Sequence, residues 1–126
     1  MTNEEVRKAK KAWGLIAVVN LYDCNHEMIQ SPAKIRQYVK ELCQKIKMIP
    51  YGPTMVKKFG SGCLEGYSAL QFIETSSITL HFDDKNGDRA FIDIFSCKYF
   101  ETKDALAFSQ EFFQAKKAKI KVIVRD

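Results

Sequence analysis

No apolar run in the chain reaches the ~20 residues that a membrane-spanning helix needs, so the sequence reads as that of a soluble protein. Its four cysteines, Cys24, Cys43, Cys63 and Cys97, show no Cys-x-x-Cys spacing and follow no signal peptide. That argues against a disulfide framework or a zinc site and for reduced thiols in the cytoplasm; no metal is expected. Linkers and low-complexity segments are missing too, and 126 residues suit a single domain, 1–126, long enough to bury a core without staples. A net charge of +5 would suit a polyanionic partner, but the lysines are scattered or sit at element ends without interleaved aromatics, which argues against nucleic acid.

What is present is a run of short elements. Residues 1–12 are polar and basic and read as a solvated arm or a short terminal helix, closed by Trp13. Leu15 to Tyr22 is a continuous apolar stretch of strand length, with the β-branched content of a strand covered on both sides. Ser31-Pro32 supplies an N-cap and a first-turn proline for a helix over about 33–47, with Ile35, Val39, Leu42 and Ile46 on one stripe. Pro50, Gly52 and Pro53 interrupt the pattern. A short strand over 54–59 and a glycine-rich loop over 60–66 follow. Three strands are expected at 67–74, 77–83 and 89–96, and a second helix at 102–116, with Lys116 and Lys117 at its negative end. A last strand alternates Ile120, Val122 and Val124 with Lys119, Lys121 and Arg125. This order predicts an α+β two-layer sandwich, an antiparallel sheet with two helices on one face.

The chemistry concentrates between Gly66 and Cys97. Asn86-Gly87 between two alternating apolar runs predicts a two-residue type I′ hairpin, in which the numbers of paired residues sum to 173. Phe82 would then face Phe91, Leu80 face Asp93, Ile78 face Phe95, and Ser76 face Cys97, bringing a hydroxyl and a thiol side by side. Taken singly these residues carry bland readings. Cys97 suits a small buried apolar position, His81 an ordinary polar strand position and Asp93 a satisfied structural carboxylate.

Taken together, Gly66, Ser68, Ser76, Ile78, Thr79, Leu80, His81 and Asp93-Ile94-Phe95-Ser96-Cys97, with Gly14 and Leu21-Tyr22-Asp23-Cys24 upstream, resemble the prokaryotic S-adenosylmethionine decarboxylase proenzymes over residues 14–124. These are pyruvoyl enzymes, and decarboxylation of an α-amino acid needs the electron sink such a group provides. The resemblance implies self-cleavage at Thr75-Ser76 into fragments 1–75 and 76–126, Ser76 becoming the pyruvoyl group that forms a Schiff base with the substrate amine. It implies His81 as the base that drives elimination, for which neutral imidazole is suited, Ser68 as its helper and Cys97 as proton donor to the substrate carbanion. The implied reaction is decarboxylation of S-adenosylmethionine, supplying the aminopropyl donor for spermidine.

Ser76 and His81 are five residues apart, about 16 Å along an extended strand and on opposite faces of it. The resemblance implies a homodimer with composite sites, a four-layer α/β/β/α assembly, in which Ser68 and His81 of one subunit serve Ser76 and Cys97 of the other. The sequence also departs from the family. Thr75 stands where Glu is usual, Ser77 where bacterial members carry His, and Phe82-Asp83-Asp84-Lys85 where Thr-Trp-Pro-Glu is usual, so the ribose-binding glutamate is missing. Asp84 or Asp83 is the candidate substitute. Gly62 falls at the adenine-stacking position, leaving Phe59 and Tyr67 as nearby aromatics. The loss of the ribose contact keeps open a pyruvoyl decarboxylase of arginine or ornithine, and an unprocessed binding or regulatory subunit is the reading from another class.

Overall fold

The computed structural model describes residues 1–126. One six-stranded antiparallel sheet carries the whole chain, with strand order β2-β3-β4-β5-β1-β6. The strands are β1 (Gly14–Tyr22), β2 (Pro50–Phe59), β3 (Gly66–Ile73), β4 (Ser76–Asp83), β5 (Arg89–Ser96) and β6 (Lys117–Arg125). Three helices, α1 (Asn3–Lys11), α2 (Pro32–Lys45) and α3 (Thr102–Phe112), accompany them. The α+β class and the helix-covered face agree with the sequence; the helix count is three, because α1 forms as well. Its N-terminus is closed by a capping box, the Thr2 hydroxyl accepting from the Glu5 N–H while Glu5 reaches back to the Thr2 N–H.

Alternation along the strands divides the sheet into a covered and an open face. Leu15, Ala17, Val19 and Leu21 of β1, Ile78, Leu80 and Phe82 of β4, and Ala90, Ile92 and Ile94 of β5 are buried against the helices. From α2, Ile35, Tyr38, Val39 and Leu42 fill the same layer, joined by Ala105 of α3 and by Phe113. The Tyr38 hydroxyl, fully buried, meets the Ser109 hydroxyl at 2.6 Å, and Ser109 donates to the Ala105 carbonyl, so the polar groups between α2 and α3 are satisfied. The other face is bare. Trp13, Met55, Phe59, Phe72 and Ile123 are exposed.

Several element limits move. Strand β2 begins at Pro50 rather than Thr54, because an edge strand with an irregularity between Tyr51 and Met55 tolerates its prolines. Helix α3 ends at Phe112, four residues short of Lys116: Gln114 adopts φ 55°, turning the chain into β6, so Lys116 precedes and Lys117 begins a strand instead of capping a helix.

The hairpin between β4 and β5 differs in a way that matters chemically. Asp83 pairs with Arg89 and Ser76 with Ser96, so paired numbers sum to 172 and the connection is five residues, 84–88, not two. The Asp83 carboxylate accepts the N–H groups of Lys85 and Asn86 and caps a wider turn, with positive φ at Gly87 and Asp88. A shift of one residue exchanges faces along one strand. Phe82 therefore faces Ala90, Leu80 faces Ile92 and Ile78 faces Ile94, all in the core, while Phe91, Asp93 and Phe95 belong to the open face.

Candidate active site

Two groups of functional side chains form, at opposite ends of β4. On the open face, Ser68 of β3 lies directly across from His81 of β4, and its Oγ is 2.9 Å from His81 Nδ1. The pair register makes this contact unavoidable, since directly opposed residues share a face. Phe91 flanks His81 on the other side. Two shallow hollows open at His81. One, about 230 Å³, is lined by Met55, Phe59, Leu70 and Ser68; the other, about 210 Å³, by Leu64, Glu65, Asp83, Arg89 and Phe91.

The second group surrounds the Thr75–Ser76 bond, in the tight connection from β3 to β4. Ile73 pairs with Ser76, leaving Glu74 and Thr75 as the turn. Ser76 follows with φ 153°, a region that side chains rarely enter. The Thr75 carbonyl accepts the Cys97 N–H at 2.8 Å, and the Glu74 N–H donates to the Ile49 carbonyl at 2.9 Å. The Thr75 hydroxyl is 2.8 Å from the Ser96 hydroxyl and 3.4 Å from Met48 Sδ. Gly14 of β1 backs this corner: a Cβ there would lie 2.8 Å from the Ser96 carbonyl oxygen and 3.2 Å from Cys97 Cα.

Ser76 is therefore opposed by Ser96, not by Cys97 as the two-residue hairpin required. Cys97 is exposed just beyond the end of β5 and meets the Thr75–Ser76 segment through its main chain, donating to the Thr75 carbonyl. Ser76 shares strand parity with the buried Ile78 and Leu80, whereas His81 shares it with Ser77 and Thr79 on the open side. One chain thus holds Ser76 and His81 about 16 Å apart along an extended strand, with their side chains on opposite faces of it.

Residues 16–126 match the family model described as S-adenosylmethionine decarboxylase. The chain belongs to that family. Relatives include the S-adenosylmethionine decarboxylase proenzymes of Clostridium botulinum strains Loch Maree (type A3) and 657 (type Ba4). Each is 29% identical over 113 residues, covering 89% of this chain and 93% of the relative. The crystal structure of the adenosylmethionine decarboxylase from Aquifex aeolicus VF5 superposes with a TM-score of 0.75 over 90% of this chain and 91% of that one, at 18% identity, and establishes the common fold.

The S-adenosylmethionine decarboxylase fold distributes the remaining candidates unevenly. Phe59 is exposed on the open face and lines the hollow beside Ser68 and His81. Tyr67 lies on the covered side, next in parity to Ala69 and Gln71, packed on the core with Lys58 5.6 Å from its ring centroid. The alternation of β3 separates it from its neighbour Ser68 and from the hollows. Asp83 is spoken for by Arg89, whose Nη2 and Nε donate at 2.6 and 2.8 Å. Burial pushes the Asp83 carboxyl upward, but Arg89 and the N–H groups of Asn86 and Lys85 outweigh it and hold it below its ordinary value. Asp84, with only 4% of its side chain exposed, contacts Lys85 at 3.1 Å. Glu65 is the freer carboxylate of the same hollow, 43% exposed with lysine ammonium groups no closer than 3.9 Å. Nothing in the sequence singles Glu65 out, since a lone acid in a glycine-rich loop carries neither period nor motif.

Proposed function

We propose that the chain is a self-processing, pyruvoyl-dependent S-adenosylmethionine decarboxylase. The observation that carries this reading is the Thr75–Ser76 junction, where a hydroxyl-bearing residue is held at φ 153° directly after a carbonyl that accepts a main-chain N–H. The Ser76 Oγ bonds to the Thr75 carbonyl carbon and gives up its proton, the amide C–N bond breaks, and the amide nitrogen takes a proton to become an amine. The Cys97 N–H stabilises the oxygen on which charge develops, as an oxyanion donor does. Elimination from the resulting ester then breaks the Ser76 Cβ–Oγ bond and frees 1–75 with a carboxylate terminus. His81 takes the Cα proton, and the Ser68 hydroxyl holds its imidazole in orientation. Hydrolysis of the remaining dehydroalanine end releases ammonia and leaves 76–126 capped by pyruvoyl.

The pyruvoyl group supplies the electron sink for loss of carbon dioxide from the substrate's amino acid moiety. Cys97, exposed beside the junction, returns a proton to the substrate carbon. The two hollows that meet at His81 suit the nucleoside, Phe59 of one as a stacking surface and the Glu65 carboxylate of the other accepting the ribose hydroxyls in place of the occupied Asp83 and Asp84. Because His81 and Ser76 lie at opposite ends of β4, the site is composite: two copies stack their open faces in a four-layer α/β/β/α homodimer, the His81 end of one over the Thr75–Ser76 end of the other, burying Trp13, Met55, Phe72 and Ile123. The product, decarboxylated S-adenosylmethionine, is the aminopropyl donor for spermidine in the cytoplasm.

Purified protein incubated at neutral pH should separate into fragments 1–75 and 76–126 by intact mass and release carbon dioxide from carboxyl-labelled S-adenosylmethionine. Ser76→Ala should do neither. Release from labelled arginine or ornithine but not from S-adenosylmethionine would replace the substrate, and a wild-type chain that stays whole would remove the enzyme.

A further inference from the structure

Ser96 is fully buried, and its hydroxyl sits among four partners: the Thr75 hydroxyl at 2.8 Å, the Lys98 carbonyl at 2.8 Å, the Lys98 N–H at 2.9 Å and Met48 Sδ at 3.7 Å. Neither self-cleavage nor decarboxylation, as set out above, uses this group. Buried hydroxyls are satisfied as a rule, but the Lys98 contacts alone would satisfy this one. What the contact with the Thr75 hydroxyl adds is a tie from the rigid end of β5 to the residue that carries the attacked carbonyl. Thr75 is thereby fixed at two points: its carbonyl by the Cys97 N–H at 2.8 Å and its hydroxyl by Ser96. Met48 Sδ closes the third side at 3.4 Å from the Thr75 hydroxyl.

We infer that Ser96 is a positioning residue for self-cleavage, its buried hydroxyl clamping the Thr75 side chain so that the Thr75 carbonyl stays presented to the Ser76 hydroxyl and to the Cys97 N–H. This rests on the self-cleaving reading above. Ser76 at φ 153° occupies a backbone region that a free turn would leave, and such strain persists only where its surroundings over-determine it. The clamp supplies that restraint on the upstream side, where the Glu74 N–H is also tied to Ile49. A threonine suits the position because a short hydroxyl reaches Ser96, whereas the longer, charged glutamate usual in the family would need another partner. The clamp changes no bond. It raises the fraction of time the Ser76 Oγ and the Thr75 carbonyl carbon spend in attack geometry, an effect of orientation.

The test is the rate of fragment appearance, by intact mass at neutral pH, in variants that keep the turn's shape. Thr75→Val removes the hydroxyl and keeps the volume; the loss of one neutral hydrogen bond should slow cleavage about tenfold. Thr75→Ser keeps the hydroxyl and should cleave within about threefold of wild type, a rescue that a purely structural role for the side chain would not give. Ser96→Ala should slow cleavage comparably, and Thr75→Val/Ser96→Ala should be no slower than the slower single variant, since the two act through one contact. Melting midpoints identify variants that fold; if Thr75→Val does not, Thr75→Ala takes its place in the same cycle. Cleavage of a folded Thr75→Val at the wild-type rate, a Thr75→Ser as slow as Thr75→Val, or independent effects in the double variant would overturn the clamp. Failure of the wild-type chain to cleave would instead overturn the self-processing reading.

Discussion

At the scale of single residues, the proposed nucleoside contact turns on which carboxylate is least engaged. Asp83 spends both its oxygens, on Arg89 and on the turn it caps, and Asp84 is nearly buried beside Lys85, so the proposed role of hydroxyl acceptor falls to Glu65. Glu65→Gln should raise KM for S-adenosylmethionine about tenfold with kcat little changed, as expected when an interaction made equally in ground and transition states is weakened. Fragment formation should be unaffected, because Glu65 meets only lysine ammonium groups, at 3.9 and 4.0 Å, and takes no part in the acyl shift or the elimination. A KM equal to wild type would return the choice to the aspartates. A second residue-scale effect is pH-dependent. His26 Nδ1 lies 2.5 Å from Asp88 Oδ1, and that hydrogen bond raises the imidazole above its ordinary pKa against the opposing cost of desolvation. A raised folded pKa means that the contact stabilises fully below the unfolded value of about 6.5 and fades as pH rises through the folded one. An NMR titration should find the His26 midpoint above that value, and Asp88→Asn should bring it down. A midpoint unmoved by Asp88→Asn would assign the shift elsewhere.

At the scale of elements, the sheet makes the corner around Thr75–Ser76, and Gly14 is where β1 approaches the end of β5 closely. A methyl group there would lie 2.8 Å from the main-chain Ser96 oxygen, so Gly14→Ala must push β1 away from the end of β5. Because Cys97 and Ser96 hold Thr75, that displacement should slow fragment formation by tenfold or more, on the order expected for a shift of about 1 Å, and lower the melting midpoint. Unchanged cleavage would show that the corner relaxes without loss of geometry. Much of this architecture is legible in the sequence. Strand β5 has the limits its alternation gives, and Ser31-Pro32 caps α2 where the N-cap rule puts it. The Thr2-Asn3-Glu4-Glu5 capping box was equally readable and marks α1 as a helix, not an arm. The hairpin register was not readable from Asn86-Gly87, because Asp83 caps the turn from its first position and widens the connection to five residues. That single residue of register decides whether Ser76 meets a thiol or the buried Ser96. The exit from α3 was hidden for a similar reason: Phe112 and Ala115 continue the helical period past the point where Gln114 turns the chain.

At the scale of the whole molecule, two half-sites sit at opposite ends of one strand. The Ser68–His81 pair on the open face can act on a Thr75–Ser76 bond only if another copy brings that bond to it, and the exposed apolar side chains of the same face give the second copy something to bury. The most direct measurement of this account is cleavage in heterodimers of a Ser76→Ala chain and a His81→Ala chain, coexpressed with different tags and isolated by both. Neither variant alone should cleave. In the heterodimer, the intact Ser68 and His81 of the first chain should serve the intact Ser76 of the second, so the His81→Ala chain should split into fragments 1–75 and 76–126 while the Ser76→Ala chain stays whole. Heterodimers that remain uncleaved, or a monomeric wild-type chain that processes at the normal rate, would contradict the composite site.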